Sequence, residues 1–201
     1  MVYWLTLLSD GGDFFNLFRY ITVRAGGAFL TSLLFGFVFG KPLINLLRRR
    51  QGRGQPIRSD GPEGHQSKAG TPTMGGALIL GALVVSTLLW ARLDNMHIWV
   101  VLFVTIGFGA IGFADDYAKV SKQTSAGVSG RVRLGLGFVI ALIAALVAAQ
   151  LHPEGLRLQV AVPVLKDTLV PFGILFFPFA MIVIVGTANA VNLTDGLDGL
   201  A

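Results

Sequence analysis

Five stretches of the chain run without formal charge, or nearly so, and polar residues gather between them. Ala69–Ala91, Asn95–Ala114, Leu134–Leu151 and Thr168–Thr194 contain no Asp, Glu, Lys or Arg, and Ala25–Leu47 is interrupted only by Lys41. A helix needs roughly 20 apolar residues to cross the hydrocarbon core of a bilayer, and every window falls near that length. The apolar runs are continuous, as in ALILGALVVSTLLW at 77–90, whereas a transmembrane β-strand would alternate apolar and polar positions. The pattern predicts an all-α, multi-pass transmembrane helix bundle. Its five spans are expected at about 25–47, 73–91, 96–114, 134–151 and 170–191, within one integral-membrane domain covering residues 1–201.

Composition agrees with that reading and excludes an ordinary aqueous fold. The chain is 53% hydrophobic and 13% charged, against about 25% charged residues in a typical soluble domain. The N-terminal MVYWLTLLSDGGDFF lacks the positive leader and small-residue cleavage site of a secretory signal, so the first span is expected to be retained. The absence of cysteine rules out disulfides, thiolate metal ligands and a thiol nucleophile. Gly36 and Gly40 have the small-xxx-small spacing of close helix contacts in lipid.

Charge orients the bundle. Arg48, Arg49, Arg50, Arg53, Arg58 and Lys68 lie in the 48–72 connection, and Lys119, Lys122, Arg131 and Arg133 in the 115–133 connection. The positive-inside rule places both loops in the cytoplasm. The N-terminus, the 92–95 turn and the 152–167 segment then face outward, and the terminal NLTDGLDGLA faces the cytoplasm. Topology accounts for the net charge of +5 without invoking nucleic acid. A basic cytoplasmic surface also attracts phosphorylated solutes and anionic lipid headgroups. Lys41, close to the basic end of the first span, can snorkel to the interface.

Three polar constellations share the expected cytoplasmic face. Asp115 and Asp116 are adjacent at the end of an apolar window. If the helix continues, Lys119 is an i,i+4 neighbour of the first and an i,i+3 neighbour of the second. Adjacent carboxylates repel and need a nearby cation; Lys119 at a water-screened helix end is one answer. Mg²⁺ with a phosphorylated ligand is another, since that ion is commonly held by one or two carboxylates plus phosphate oxygens. Asn189, Asn192, Asp195 and Asp198 recur every third residue. A helical turn would align them as a polar stripe at the membrane boundary, where such groups face a cavity or ligand. Gly196 and Gly199 would let the backbone approach that ligand. The plain alternative is a polar interfacial turn. Finally, Lys68 precedes Thr73, expected as the N-cap of the second span, and Gly75 and Gly76 leave first-turn amides open to an anion. Together these features suggest phosphoryl transfer at the membrane surface, where positioning and charge neutralisation dominate. A cation transporter is the competing reading, but its ionisable groups belong near mid-membrane, and these four aspartates stand at the ends of apolar windows.

KAGTPTMGG, FADDYAK and NAVNLTDGLDGLA, in this order and at these intervals, resemble the phospho-N-acetylmuramoyl-pentapeptide transferases (the MraY family) within the polyprenyl-phosphate N-acetylhexosamine-1-phosphate transferases. Relatives using N-acetylglucosamine donors tend to have Asp where this chain has Lys119, which favours the muramoyl-pentapeptide branch. The resemblance implies transfer of phospho-MurNAc-pentapeptide from UDP-MurNAc-pentapeptide to undecaprenyl phosphate. The products would be lipid I and UMP, with Mg²⁺ as cofactor, in peptidoglycan synthesis at the bacterial inner membrane. It carries over Asp115 and Asp116 as catalytic and candidate metal-binding residues. Lys68, Thr73, Lys119, Asn192, Asp195, Gly196, Leu197 and Asp198 are carried over as substrate-binding. Whether Asp115 is a base or an electrostatic organiser stays open, as does homodimerisation. Membrane lipid is the expected surrounding partner. Family members resemble ten-helix proteins, so these residues are expected to form the N-terminal half, lacking a later Mg²⁺-holding aspartate and a histidine-rich loop, and to be inactive alone.

Overall fold

The computed structural model describes residues 1–52, 72–124, 127–163, 165 and 168–194. Among them the chain forms five α-helices: α1 (Ile21–Gln51), α2 (Gly76–Trp90), α3 (Met96–Lys122), α4 (Gly130–Leu151) and α5 (Phe176–Thr194). α1, α3, α4 and the Gly173–Asn192 stretch that includes most of α5 are long and apolar enough to cross a bilayer, and α2 is a shorter apolar helix. The protein is a multi-pass membrane helix bundle. Short 3-10 segments at Val2–Leu8 and Phe14–Arg19 precede α1.

Two element boundaries differ from expectation for local reasons. α2 begins at Gly76 and holds 15 residues, about 22 Å at 1.5 Å per residue. Thr73 is not its cap. Gly75 holds the cap position with no side-chain hydrogen bond, and a left-handed Met74 (φ 70°) turns the chain before it. α5 starts at Phe176 rather than near 170 because Leu169–Pro171 (β2) pairs with Gln159–Ala161 (β1) in an antiparallel hairpin, Val160 opposite Val170. Pairing satisfies backbone groups that a helix would otherwise bond internally. A run this short and apolar does not distinguish the two outcomes.

The chain divides into two compact units, residues 1–98 with 109–129 and residues 99–108 with 130–201. In the first, α1 packs along α2 through small residues and hydroxyls. A side chain at Gly27 would strike the Trp90 ring, whose Nε1 donates to Thr31 Oγ1 at 2.9 Å. Ser32 and Ser86 share a 2.6 Å hydrogen bond. Gly40, one of the expected small-xxx-small pair, lies within contact of Leu78, whereas Gly36 faces open space. On α3, Gly109 admits Leu80. In the second unit Gly107 receives Ile140, and Gly137 receives Phe108 and Val185. The buried residues there include Ala141, Ala144, Ala145, Ala149 and Val185. Lipid tails are as apolar as leucine, so helices in a bilayer gain little by hiding large side chains and more by close approach. Phe29, Phe37, Ile79 and Ile182 accordingly remain exposed.

Tyr3, in the segment ahead of α1, takes the guanidinium of Arg24 from α1 and that of Arg92 from beyond α2 over its ring, 4.9 and 4.8 Å from the centroid. Arg92 also donates to Asp94 at 2.7 Å. That hydrogen bond, more than Coulombic attraction to Arg92 and Arg24, holds the Asp94 carboxyl below its ordinary value.

Two outcomes test this packing. Gly27→Ala should destabilise the protein by about 1–3 kcal/mol through displacement of Trp90, whereas Gly36→Ala should not; thermal unfolding in detergent compares them. The depressed Asp94 carboxyl contributes stability that is present above its unfolded pKa and lost as pH falls through the lower folded value. Asp94→Asn should therefore flatten the part of the melting profile below about pH 4.

Candidate active site

Asp115, Asp116 and Lys119 lie on the last two turns of α3, which continues as helix beyond its apolar stretch to Lys122. The terminus is closed by Gln123 in the left-handed region (φ 48°), whose N–H reaches the carbonyls of Lys119 and Val120. Helical spacing brings Lys119 Nζ to 2.8 Å from Asp115 Oδ2 and 3.7 Å from Asp116 Oδ1. The lysine therefore supplies the cation that two adjacent carboxylates require, and the pair does not by itself demand a metal.

The two aspartates have different surroundings. Asp115 is 6% exposed, and its Oδ1 accepts the Val128 backbone N–H at 2.8 Å. Both of its oxygens are thus engaged. The Asp116 side chain is 31% exposed, and its Oδ2 accepts from Thr73 Oγ1 at 2.9 Å. Thr73 is in turn held by Gln51 at the end of α1. Gln51 Oε1 accepts the Thr73 N–H at 2.8 Å, and its Nε2 donates to the Thr73 carbonyl at 3.0 Å. Gln51 is buried, and this pair of hydrogen bonds engages both ends of its amide as a strand neighbour would. The end of α1, the approach to α2 and the end of α3 therefore meet at one place.

Of the residues expected in the site, Asp115, Asp116, Lys119 and Thr73 are brought together, and Thr73 acts through its hydroxyl on Asp116. Asn189 and Asn192 lie on α5 in the other unit; Asn189 Nδ2 donates to the Val185 carbonyl one turn back at 2.8 Å, and Asn192 is exposed. Lys68, Asp195, Gly196, Leu197 and Asp198 lie outside the described residues. Gln51, Gly127 and Val128 were not expected. A glutamine in a basic run and a backbone amide leave no trace in a hydropathy pattern or a motif of charged residues.

The donor set fits a hard divalent cation at Asp116. Its Oδ1 is paired with the Lys119 ammonium at 3.7 Å, longer than a hydrogen bond, and carboxylate oxygen is the ligand type Mg²⁺ takes. Asp115 fits less well as a direct ligand because each oxygen already accepts a hydrogen bond. The described residues contain no group of three or more His, Asp or Glu side chains placed to hold a metal, so Asp116 would supply only part of a coordination shell.

Residues 98–201, slightly more than half of the chain, match the family model for glycosyl transferase family 4. The chain belongs to glycosyl transferase family 4. Within this family member, residues 68–80 match the phospho-N-acetylmuramoyl-pentapeptide-transferase signature 1, which contains Thr73. Proteins named phospho-N-acetylmuramoyl-pentapeptide-transferase are similar over all or nearly all of the chain. The protein of Ruegeria sp. (strain TM1040) is 73% identical over 201 residues, and that of Ruegeria pomeroyi 71% over 201 residues. That of Maricaulis maris is 58% identical over 200 residues, 96% of this chain. The chain spans about half the length of these relatives, 56% of each Ruegeria protein and 54% of the Maricaulis one.

The clamp on Thr73 can be tested directly. Gln51→Ala leaves the part-buried Thr73 N–H and carbonyl without their partner and should lower stability by about 1–3 kcal/mol. Thr73→Val removes one hydrogen bond and should lower it by about 0.5–1.5 kcal/mol. Denaturant unfolding in detergent checks both values.

Proposed function

We propose that the full gene product is a phosphoglycosyl transferase. It moves phospho-MurNAc-pentapeptide from UDP-MurNAc-pentapeptide to undecaprenyl phosphate, releasing UMP and forming lipid I for peptidoglycan synthesis. The observation that carries this reading is the Thr73–Asp116 hydrogen bond. It joins the transferase signature segment to the paired aspartates within the family match. An oxygen of the lipid phosphate attacks the β-phosphorus of the donor, the pyrophosphate bond breaks, and UMP departs with the bonding electron pair. Such transfer needs charge neutralisation and alignment more than covalent chemistry by the protein.

The surroundings of the two carboxylates support a division of labour. Asp116, partly exposed and oriented by Thr73, meets the ligand. Asp115, buried and bonded at both oxygens, organises Lys119. Asp116 is the described residue best placed to share in holding Mg²⁺ with the later aspartate that the resemblance implies, and the ion when bound would neutralise the phosphate charges. Lys119 faces the same phosphates. Lys68, Asn192, Asp195, Gly196, Leu197 and Asp198 serve the donor side. The basic connections at 48–72 and 115–133 support placing this chemistry on the cytoplasmic side of the bacterial inner membrane, where a soluble nucleotide donor meets a lipid acceptor.

Incubated in detergent with both substrates and Mg²⁺, the full gene product should release UMP, and a chelator should stop it. Asp116→Asn should lower turnover by about a hundredfold or more. Near-normal turnover in that variant would remove Asp116 from the reaction, and absence of turnover in the unaltered protein would overturn the assignment.

A further inference from the structure

Asp115 is held by a stretch of backbone that only glycine lets approach. Its Oδ1 accepts the Val128 N–H at 2.8 Å, and the residue before Val128 is Gly127. A Cβ at position 127 would overlap Asp115 Oδ1, fall 2.7 Å from Asp115 Cγ and lie 3.0 Å from Lys119 Cε. Contacts below 3.0 Å are essentially never seen for a real Cβ, so the carboxylate or the backbone would have to move. The carboxylate has little freedom to yield, because its other oxygen is paired with Lys119 at 2.8 Å. Glycine here serves close approach.

We propose that Gly127 is a positioning residue: by admitting the Val128 amide to Asp115, it keeps Lys119 on Asp115 and leaves Asp116 available to ligand. Lys119 stands between two carboxylates, 2.8 Å from one and 3.7 Å from the other. What favours the first partner is that Asp115 is pinned from the far side by Val128. With Asp115 displaced, Lys119 closes on Asp116 and neutralises the oxygen that faces the ligand. Gly127 touches no substrate; it acts through Asp115 and Lys119. The inference rests on the transferase reading for its catalytic consequence, but the clamp itself does not.

Two measurements on the full gene product test it. In steady-state UMP release, Gly127→Ala should lower kcat by about ten- to a hundredfold while KM changes less than about threefold, the effect expected of misplacement rather than lost binding. Gly130→Ala, at a position where a Cβ meets open space, should behave as the unaltered protein. Wild-type kcat in Gly127→Ala would overturn the proposal. The second readout is amide hydrogen exchange at Val128, followed by mass spectrometry. It should be slow in the unaltered protein and fast in both Gly127→Ala and Asp115→Ala, with exchange in the body of α3 unchanged. An equal Val128 rate in unaltered and Asp115→Ala protein would overturn the clamp. Because Asp115→Ala retains Gly127, this arm decides the matter even if Gly127→Ala does not fold. If the unaltered protein releases no UMP, the functional reading falls, and exchange alone judges the clamp.

Discussion

Bringing the carboxylate of Asp115 to the end of an apolar helix and out of water is the constraint around which this site is built. A buried charge is tolerated only when paired and hydrogen-bonded. Both requirements are met locally: Lys119 pairs one oxygen from the next helical turn, and the Val128 amide bonds the other from the chain beyond α3. Each answer imposes a further demand. The lysine must remain helical with Asp115, so α3 runs on past the apolar window. The amide must come close, so the preceding residue is glycine.

Asp116 is controlled from the opposite direction. Its partner Thr73 belongs to the approach to α2 and is anchored through its own backbone to Gln51 at the end of α1. Three element ends thus depend on one chain of hydrogen bonds. A chain of this kind, satisfied at every link, orients a side chain better than isolated contacts do. Thr73 spends its hydroxyl proton on Asp116 and stands two residues before the cap position of α2, Gly75, with the left-handed Met74 turning the chain between them.

The remainder of the protein follows the rule of helices in lipid. Small residues permit close contact at Gly27, Gly107, Gly109 and Gly137, and hydroxyls bond across the α1–α2 seam at Ser32 and Ser86. Which glycines do this was not legible beforehand. The Gly36–Gly40 spacing was visible, yet only Gly40 approaches a neighbour. Spacing marks a face of a helix and says nothing of what lies opposite it.

The sequence by itself determined the bundle and its family, and put Lys119 at helical spacing from both aspartates. Hydropathy over some 20 residues, a contiguous motif and an i,i+4 neighbour are all properties of position along one chain. The tertiary structure alone decided that Asp115 is buried and Asp116 accessible, that Thr73 bonds a carboxylate, and that Gln51 and Val128 take part. These contacts join residues 43, 22 and 13 positions apart. Three of the four hydrogen bonds concerned use backbone groups, which every residue carries, so no pattern of side chains could announce them. The hairpin before α5 has the same origin, because a short apolar run becomes strand or helix according to the partner that its backbone finds.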